Sequence, residues 1–143
     1  MMSTKNIKKR IYLDTNFLIY AMRHRADISK IYEMIDSELE FLIPDTVIKE
    51  LEKLSKRKSK FSAITNYLLV KLKKKLSIEE IGLFRYQILR TDFNNCDEYF
   101  FHNITDEDIL CTNDNSLINI LKKNRKSLAI IKCNRNRLAL LYI

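Results

Sequence analysis

The strongest constraint on this chain is an alternation. Four short runs rich in β-branched and aromatic residues, RIYLD at 10–14, EFLIP at 40–44, DILCT at 108–112 and SLAIIK at 127–132, are separated by stretches whose apolar residues recur at helical spacing. Runs of this length and composition read as strands that are largely buried. Helical patterns cover 16–25, 28–37, 45–57 (Val47, Leu51 and Leu54 on one stripe), 61–76 (Phe61, Ile64, Leu68 and Leu72), 97–104 and 115–123. Strands that alternate with helices are joined by right-handed crossovers, which produce a parallel sheet covered on both faces. Such sheets bind ligands at the carboxyl ends of their strands. Residues 76–95 carry the weakest pattern, compatible with a short strand near Ser77–Ile81 or a helix over Phe84–Leu89.

The chain has 143 residues, 46% of them hydrophobic, enough for one core and one domain. Lys and Arg outnumber Asp and Glu by 26 to 18, and the resulting charge of +8 favours an anionic partner such as nucleic acid or an acidic membrane surface. No apolar run approaches the roughly 20 residues of a spanning helix. The N-terminal MMSTKNIKKR lacks a signal-like apolar stretch, so a cytosolic protein is expected. Cys96, Cys111 and Cys133 include no CxxC pair and read as small buried hydrophobes. Only one Gly (Gly82) and one Pro (Pro44) occur, which excludes Gly-rich phosphate cradles.

Acidic residues fall where a site is expected. Asp14 follows the first strand directly. Capping of the next helix by Asp14 or Thr15 is the simplest account of that one position. The arrangement recurs in TND at 112–114, so two acids end two parallel strands. In DTVIKELEKL, Glu50 and Glu52 flank the apolar stripe on either side, and periodicity does not choose between them. Asp97 and Glu98 open CDEYFFHNI, whose Phe100, Phe101 and Ile104 mark a buried helical face. Acids there also complement a helix dipole. Carboxylates that converge raise each other's pKa and need a cation to stay ionised. Oxygen donors without His suit Mg²⁺ or Mn²⁺. An acidic metal pocket inside a basic protein is the combination expected for metal-assisted phosphodiester cleavage.

These motifs resemble the PIN domain, a nuclease family. IYLDTNFLIY is similar to its first motif, IPDTVIKELEKL to its second, NNCDEYFF to its third and LCTNDNSL to its fourth; SLAIIKCNRNRLAL resembles the last strand and tail of archaeal and eukaryotic ribosomal-RNA-processing members. The resemblance implies a three-layer α/β/α fold with a mainly parallel sheet of about four to five strands, with residues 1–143 as a single PIN-like domain. It also implies Asp14, Glu50, Asp97 and Asp114 as the catalytic acids. Glu50 is preferred because the family's acid directly precedes a Leu. Asp14, Asp97, Glu98 and Asp114 would ligate one or two Mg²⁺ or Mn²⁺ ions, with the choice between Asp97 and Glu98 open. Asn16, Thr112 and Asn113 match supporting polar positions.

The implied activity is endonucleolytic hydrolysis of single-stranded or loop RNA, in processing of ribosomal or other RNA. Lys56, Arg57, Lys58 and Lys60, with Arg135 and Arg137, are the expected RNA contacts, because loops between elements can follow a phosphate backbone. Asp106, Glu107 and Asp108 read as a solvated turn at the far end of a strand. Tyr20, Tyr67, Tyr86 and Tyr99 read as core or half-buried residues, and His24 and His102 as isolated from the acids. Other partners implied are a second copy in a homodimer, a ribosome-assembly protein, or the antitoxin of a VapC-type toxin; a non-catalytic RNA-binding scaffold is a further reading. The expected location is cytoplasmic, or nucleolar in a eukaryote.

Overall fold

The computed structural model describes residues 8–124 and 127–143. Its elements, in chain order, are β1 (Lys9–Leu13), α1 (Thr15–His24), a 3₁₀ turn (Ile28–Lys30), α2 (Ile31–Met34), β2 (Leu39–Pro44), α3 (Asp45–Ser55) and α4 (Ser62–Lys73). A second 3₁₀ turn (Glu79–Ile81), β3 (Tyr86–Leu89), α5 (Cys96–Asn103), β4 (Ile109–Cys111), α6 (Asn115–Lys123), β5 (Ala129–Asn134) and β6 (Arg137–Tyr142) complete them.

The six strands form one sheet in the order β3-β2-β1-β4-β5-β6. Every neighbouring pair is parallel except β5 with β6. The order reverses at β1. From β1 the chain steps outward to β2 and β3, then returns to the opposite side of β1 for β4 and β5. Right-handed crossovers in these two directions place their helices on opposite faces. α1, α3 and α4 pack on one another, α5 packs against α6, and α5 also meets α3 at the carboxyl edge of the sheet. The crevice where the order reverses lies between the carboxyl ends of β1 and β4, the position at which such sheets take ligands.

The strands form where their residues can be buried on both faces. Ile11, Leu13, Phe41, Ile43, Leu110 and Ile131 are fully or almost fully buried. Each side chain of this kind contributes about 1.5–3 kcal/mol relative to exposure. Pro44 ends β2 and stands as the N-cap of α3 with φ −63° and ψ 148°, so the helix begins without a break. Gly82 adopts φ +107°, and a Cβ there would run into the Asp27 carboxylate, so the chain's single glycine sits where no side chain fits.

The three-layer architecture is the expected one, and four particulars differ. The sheet has six strands rather than four to five, because the tail expected after SLAIIK folds back as β6. Asn134 pairs with Arg137, and Arg135 turns the chain with φ 58°, so the hairpin is made without glycine. Residues 76–95 hold neither a strand near 77–81 nor a helix over 84–89. A 3₁₀ turn lies at Glu79–Ile81, and β3 at Tyr86–Leu89 extends the edge of β2. The segment read as one helix over 28–37 is a 3₁₀ turn followed by a single turn of α-helix. Asp108 is not solvated: it is 1% exposed, accepts from Arg10 Nε at 2.8 Å, and takes the Thr105 N–H at 2.9 Å. Asp106 and Glu107 are exposed. Cys96, Cys111 and Cys133 are buried and free, as expected.

Candidate active site

Asp14 is the residue between β1 and α1. Its backbone N–H still bonds to Cys111 O at 3.0 Å, so the sheet ladder carries it to the mouth of the crevice. Its carboxylate is 3% exposed. Oδ1 accepts the N–H of Thr15 at 2.8 Å, and Oδ2 accepts the hydroxyl of Thr112 at 2.7 Å. Asp14 therefore caps α1 and faces Thr112, the residue that follows β4.

Glu50, in the middle of α3, is held at both oxygens. Thr15 Oγ1 donates to Oε1 at 2.6 Å and the backbone N–H of Cys96 donates to Oε2 at 2.8 Å. The latter is the first N–H of α5, a place where a helix favours negative charge. Glu52 points elsewhere, forming an ion pair with Lys73 at 2.9 Å. The choice between the two acids that periodicity left open is thus made by the crossing of α1, α3 and α5.

Asp114 caps α6, with Oδ1 accepting from Ser116 N and Leu117 N at 2.9 and 3.2 Å. Among the described residues its Oδ2 accepts no hydrogen bond, so capping uses one oxygen and leaves the other. The Asp97 carboxylate likewise has no hydrogen bond from a described residue. Asn16 Oδ1 accepts the N–H of Asn113 at 3.1 Å, which joins the start of α1 to the loop after β4. Asn113 in turn is locked to β5: its Nδ2 donates to Cys133 O at 2.9 Å and its Oδ1 accepts Cys133 N–H at 2.8 Å.

These side chains surround one open cavity of about 280 Å³, lined by Asp14, Thr15, Asn16, Ile19, Glu50, Leu54, Asn95, Asp97 and Asp114. Glu98, named with Asp97 as a ligand, is not among them. It is exposed at the outer side of α5, with its N–H capped by Asn95. The first turn of a helix turns by about 100° per residue, so adjacent acids cannot share one direction.

Electrostatics mark the cluster. Burial pushes the Asp14 carboxyl up to about 7; hydrogen bonds from Thr112 and Thr15 oppose this, and the Glu50 charge adds to it. Asp97 is also raised, first by partial burial and then by Asp114 and Glu50. Cys96 Sγ approaches Asp14 and Glu50, one atom of each lying within 4.8 Å of the others. Burial and both acids push its thiol up, and it sits 3.5 and 3.3 Å from the Thr15 and Thr46 hydroxyls. A neutral thiol held this way packs the floor of the site beside the two acids.

Of the expected RNA contacts, Lys56, Arg57, Lys58 and Lys60 are exposed in the connection from α3 to α4, and Arg135 and Arg137 are exposed at the β5–β6 turn. That turn meets α1 through the Tyr20 hydroxyl, which accepts the Arg135 N–H at 3.1 Å. The other tyrosines have internal partners: Tyr67 donates to Glu80, Tyr86 to Leu76 O, and Tyr99 packs on Tyr12, Phe93 and Phe100. His24 stacks on Tyr20 and His102 on Phe93, away from the acids. Thr15, Thr46 and Cys96 were missed as parts of the site. The signal for Thr15 was its place directly behind Asp14; nothing in the sequence marked the other two.

A sheet that reverses its order at β1, with Asp14, Glu50, Asp97 and Asp114 at that point, defines an α/β protein built around an acidic crevice. The chain belongs to the PIN domain family, whose sequence model, described as "PIN domain", matches residues 11–140. A solved structure titled "Structure of the PIN domain endonuclease Utp24" is similar in fold, with a TM-score of 0.67 over 94% of this chain and 92% of that one, at 18% identity. No curated protein sequence gives a significant match.

Proposed function

We propose that this chain is a divalent-metal-dependent endoribonuclease that hydrolyses phosphodiester bonds in single-stranded or loop RNA, in the processing of ribosomal or other structured RNA. The observation that carries this reading is the convergence of Asp14, Glu50, Asp97 and Asp114 on one crevice in a protein of charge +8. Family membership supports hydrolytic nuclease chemistry, and the similar structure is by its title an endonuclease.

The donor set fits a hard cation. Among the described residues, the lining carboxylate oxygens without hydrogen bonds belong to Asp97 and Asp114, and Asp14 contributes a carboxylate whose charge is costly without a counter-ion. Asp14, Asp97 and Asp114 would hold Mg²⁺ or Mn²⁺, one or two ions. Such a cation, when bound, lowers the pKa of a water and stabilises charge on phosphate oxygens. Glu50, fixed at both oxygens, orients the attacking water. Asn16, whose Oδ1 is occupied by Asn113, keeps its NH₂ group for the substrate side of the crevice. The Lys and Arg residues hold the backbone on either side.

The test is incubation of wild type and Asp14→Asn with total and ribosomal RNA plus Mn²⁺, mapping the cut ends. Wild type is expected to cut. The variant should bind RNA nearly as well and cut nothing, and it should lose heat in a calorimetric Mn²⁺ titration. Unchanged cutting by pure variant protein would overturn the assignment.

A further inference from the structure

The crevice continues as a groove between α1 and α3. Both helices start at carboxyl ends of parallel neighbours, β1 and β2, so both run away from the acids in the same direction. On α1, Asn16, Ile19 and Arg23 fall on one stripe, and on α3, Glu50 is one turn before Leu54. Ile19 and Leu54 line the crevice as its apolar part between α1 and α3. One turn beyond Ile19 on α1, the Arg23 guanidinium lies 4.9 Å from the centre of the Phe61 ring, and the Lys60 ammonium 5.2 Å from the same centre. Phe61 is the residue before α4, and Lys56, Arg57 and Lys58 are exposed beside it.

The two cations are oriented without being neutralised. Among the described residues, ion pairs join Lys8 to Glu38, Arg10 to Asp108 and Lys73 to Glu52; none involves Arg23 or Lys60. An aromatic face holds a cation by its quadrupole and leaves the N–H donors free to point outward. Charge that is fixed in place and has no carboxylate partner is suited to a polyanion. The order along α1 is then acid, apolar side chain, cation.

We infer that Arg23 and Lys60, aligned by Phe61, form a second phosphate-holding site that grips the same single-stranded RNA about 12 Å along α1 from the acid crevice. The identity of the strand rests on the proposed function; the location of the cations does not. Phe61 is a positioning residue here, and Arg23 and Lys60 are the phosphate contacts.

The test measures binding of a fluorescent oligouridylate by anisotropy in EDTA, so that cutting is not required. Arg23→Ala and Lys60→Ala should each weaken binding about tenfold and reduce the slope of log affinity against log salt by about one. Phe61→Leu should weaken binding with its charge unchanged, and Phe61→Tyr should restore it. Lys123→Glu, on α6 at the opposite face, should change affinity much less than Arg23→Glu. Wild-type affinity in Arg23→Ala would overturn the inference, as would equal losses in Lys123→Glu and Arg23→Glu, or competition by polyglutamate as effective as by RNA. A wild type that binds through this cluster and cuts no RNA would overturn the nuclease reading and leave the inference standing. Cutting by wild type with unchanged RNA binding in Arg23→Ala would overturn the inference alone.

Discussion

Thr15 Oγ1 donates to Glu50 Oε1 at 2.6 Å, tying the first residue of α1 to the middle of α3 across 35 positions of sequence. The same residue gives its N–H to Asp14. One threonine therefore sets the spacing of two acids, and its removal should be felt in chemistry more than in substrate binding.

Thr15→Val keeps the volume and removes the hydroxyl. A hydrogen bond to a charged group contributes roughly 1.5–3 kcal/mol. Second-sphere losses of this kind cost about 10–100-fold in metal affinity or activity. The expected outcome is a kcat lowered by that factor with KM for RNA unchanged. A variant with full kcat would show that Glu50 needs no such tether.

Thr112→Val removes the donor to Asp14 Oδ2 inside the protein. That bond favours the charged carboxylate, so without it the Asp14 pKa rises further. The cost in stability should be roughly 1.5–3 kcal/mol where Asp14 is ionised, and smaller where it is protonated. Urea unfolding of wild type and variant at about pH 8 and about pH 5 reads this directly, with the larger gap expected at the higher pH.

Without metal, the protein should be less stable in mild alkali than in mild acid. The Asp14 pKa is raised from 3.8 to about 7 in the folded chain, so the folded state holds the proton more tightly than the unfolded state. Stability from this source is fully present below about pH 4 and is lost as pH rises through about 7. Asp97 shifts in the same direction. In chelator, the wild-type urea midpoint should fall across this window and that of Asp14→Asn should fall less. Mn²⁺ at about pH 8 should raise the wild-type midpoint, since it binds only the folded state. Parallel curves for wild type and Asp14→Asn would refute the account.

Arg10→Ala separates stability from activity. It leaves the Asp108 carboxylate, 1% exposed, without its cation at the amino edge of the sheet, far from the acids. Arg10 itself is 43% exposed, so solvent shares the load and the cost should be about 1–2 kcal/mol rather than that of a fully buried pair. The rate of RNA cleavage by the folded fraction should not change. A fall in kcat would place this edge in contact with the crevice.

The sequence displayed the central strands well, because Ile11–Leu13 and Phe41–Ile43 are buried on both faces and read as unbroken apolar runs. The two edge strands were hidden for opposite reasons. Phe84, two residues before β3, and Ile88 within it are four residues apart and mimic a helical stripe. In β6, RLALLY follows an Asn/Arg turn with no glycine to announce a hairpin. Asp14 and Asp114 could be placed at the sheet edge because Asp14 directly follows β1 and Asp114 comes three residues after the end of β4, where topology dictates direction. Glu50 was only half readable, since α3 carries an acid on either side of its apolar stripe and only the crossing with α1 and α5 selects one. Asp108 differs from its expected solvated place because a turn's composition does not reveal which side chain bends inward, and the sequence left Asp97 and Glu98 as alternatives because both open α5. Arg23 and Phe61 carried no motif; their meaning lies in a contact between α1 and the start of α4.

The Thr112 to Asp14 hydrogen bond spans 98 residues, and β1 lies against β4 rather than against β3. A folding chain must therefore close its longest parallel loop before the first acid meets the last. Such non-local pairing is slow and of high contact order. On a chain emerging from N-terminus to C-terminus, Asp14 waits until β4 and the start of α6 have been made. The crevice is completed late, and a product that stops before β4 leaves Asp14 and Glu50 without Asp114, the acid at the start of α6.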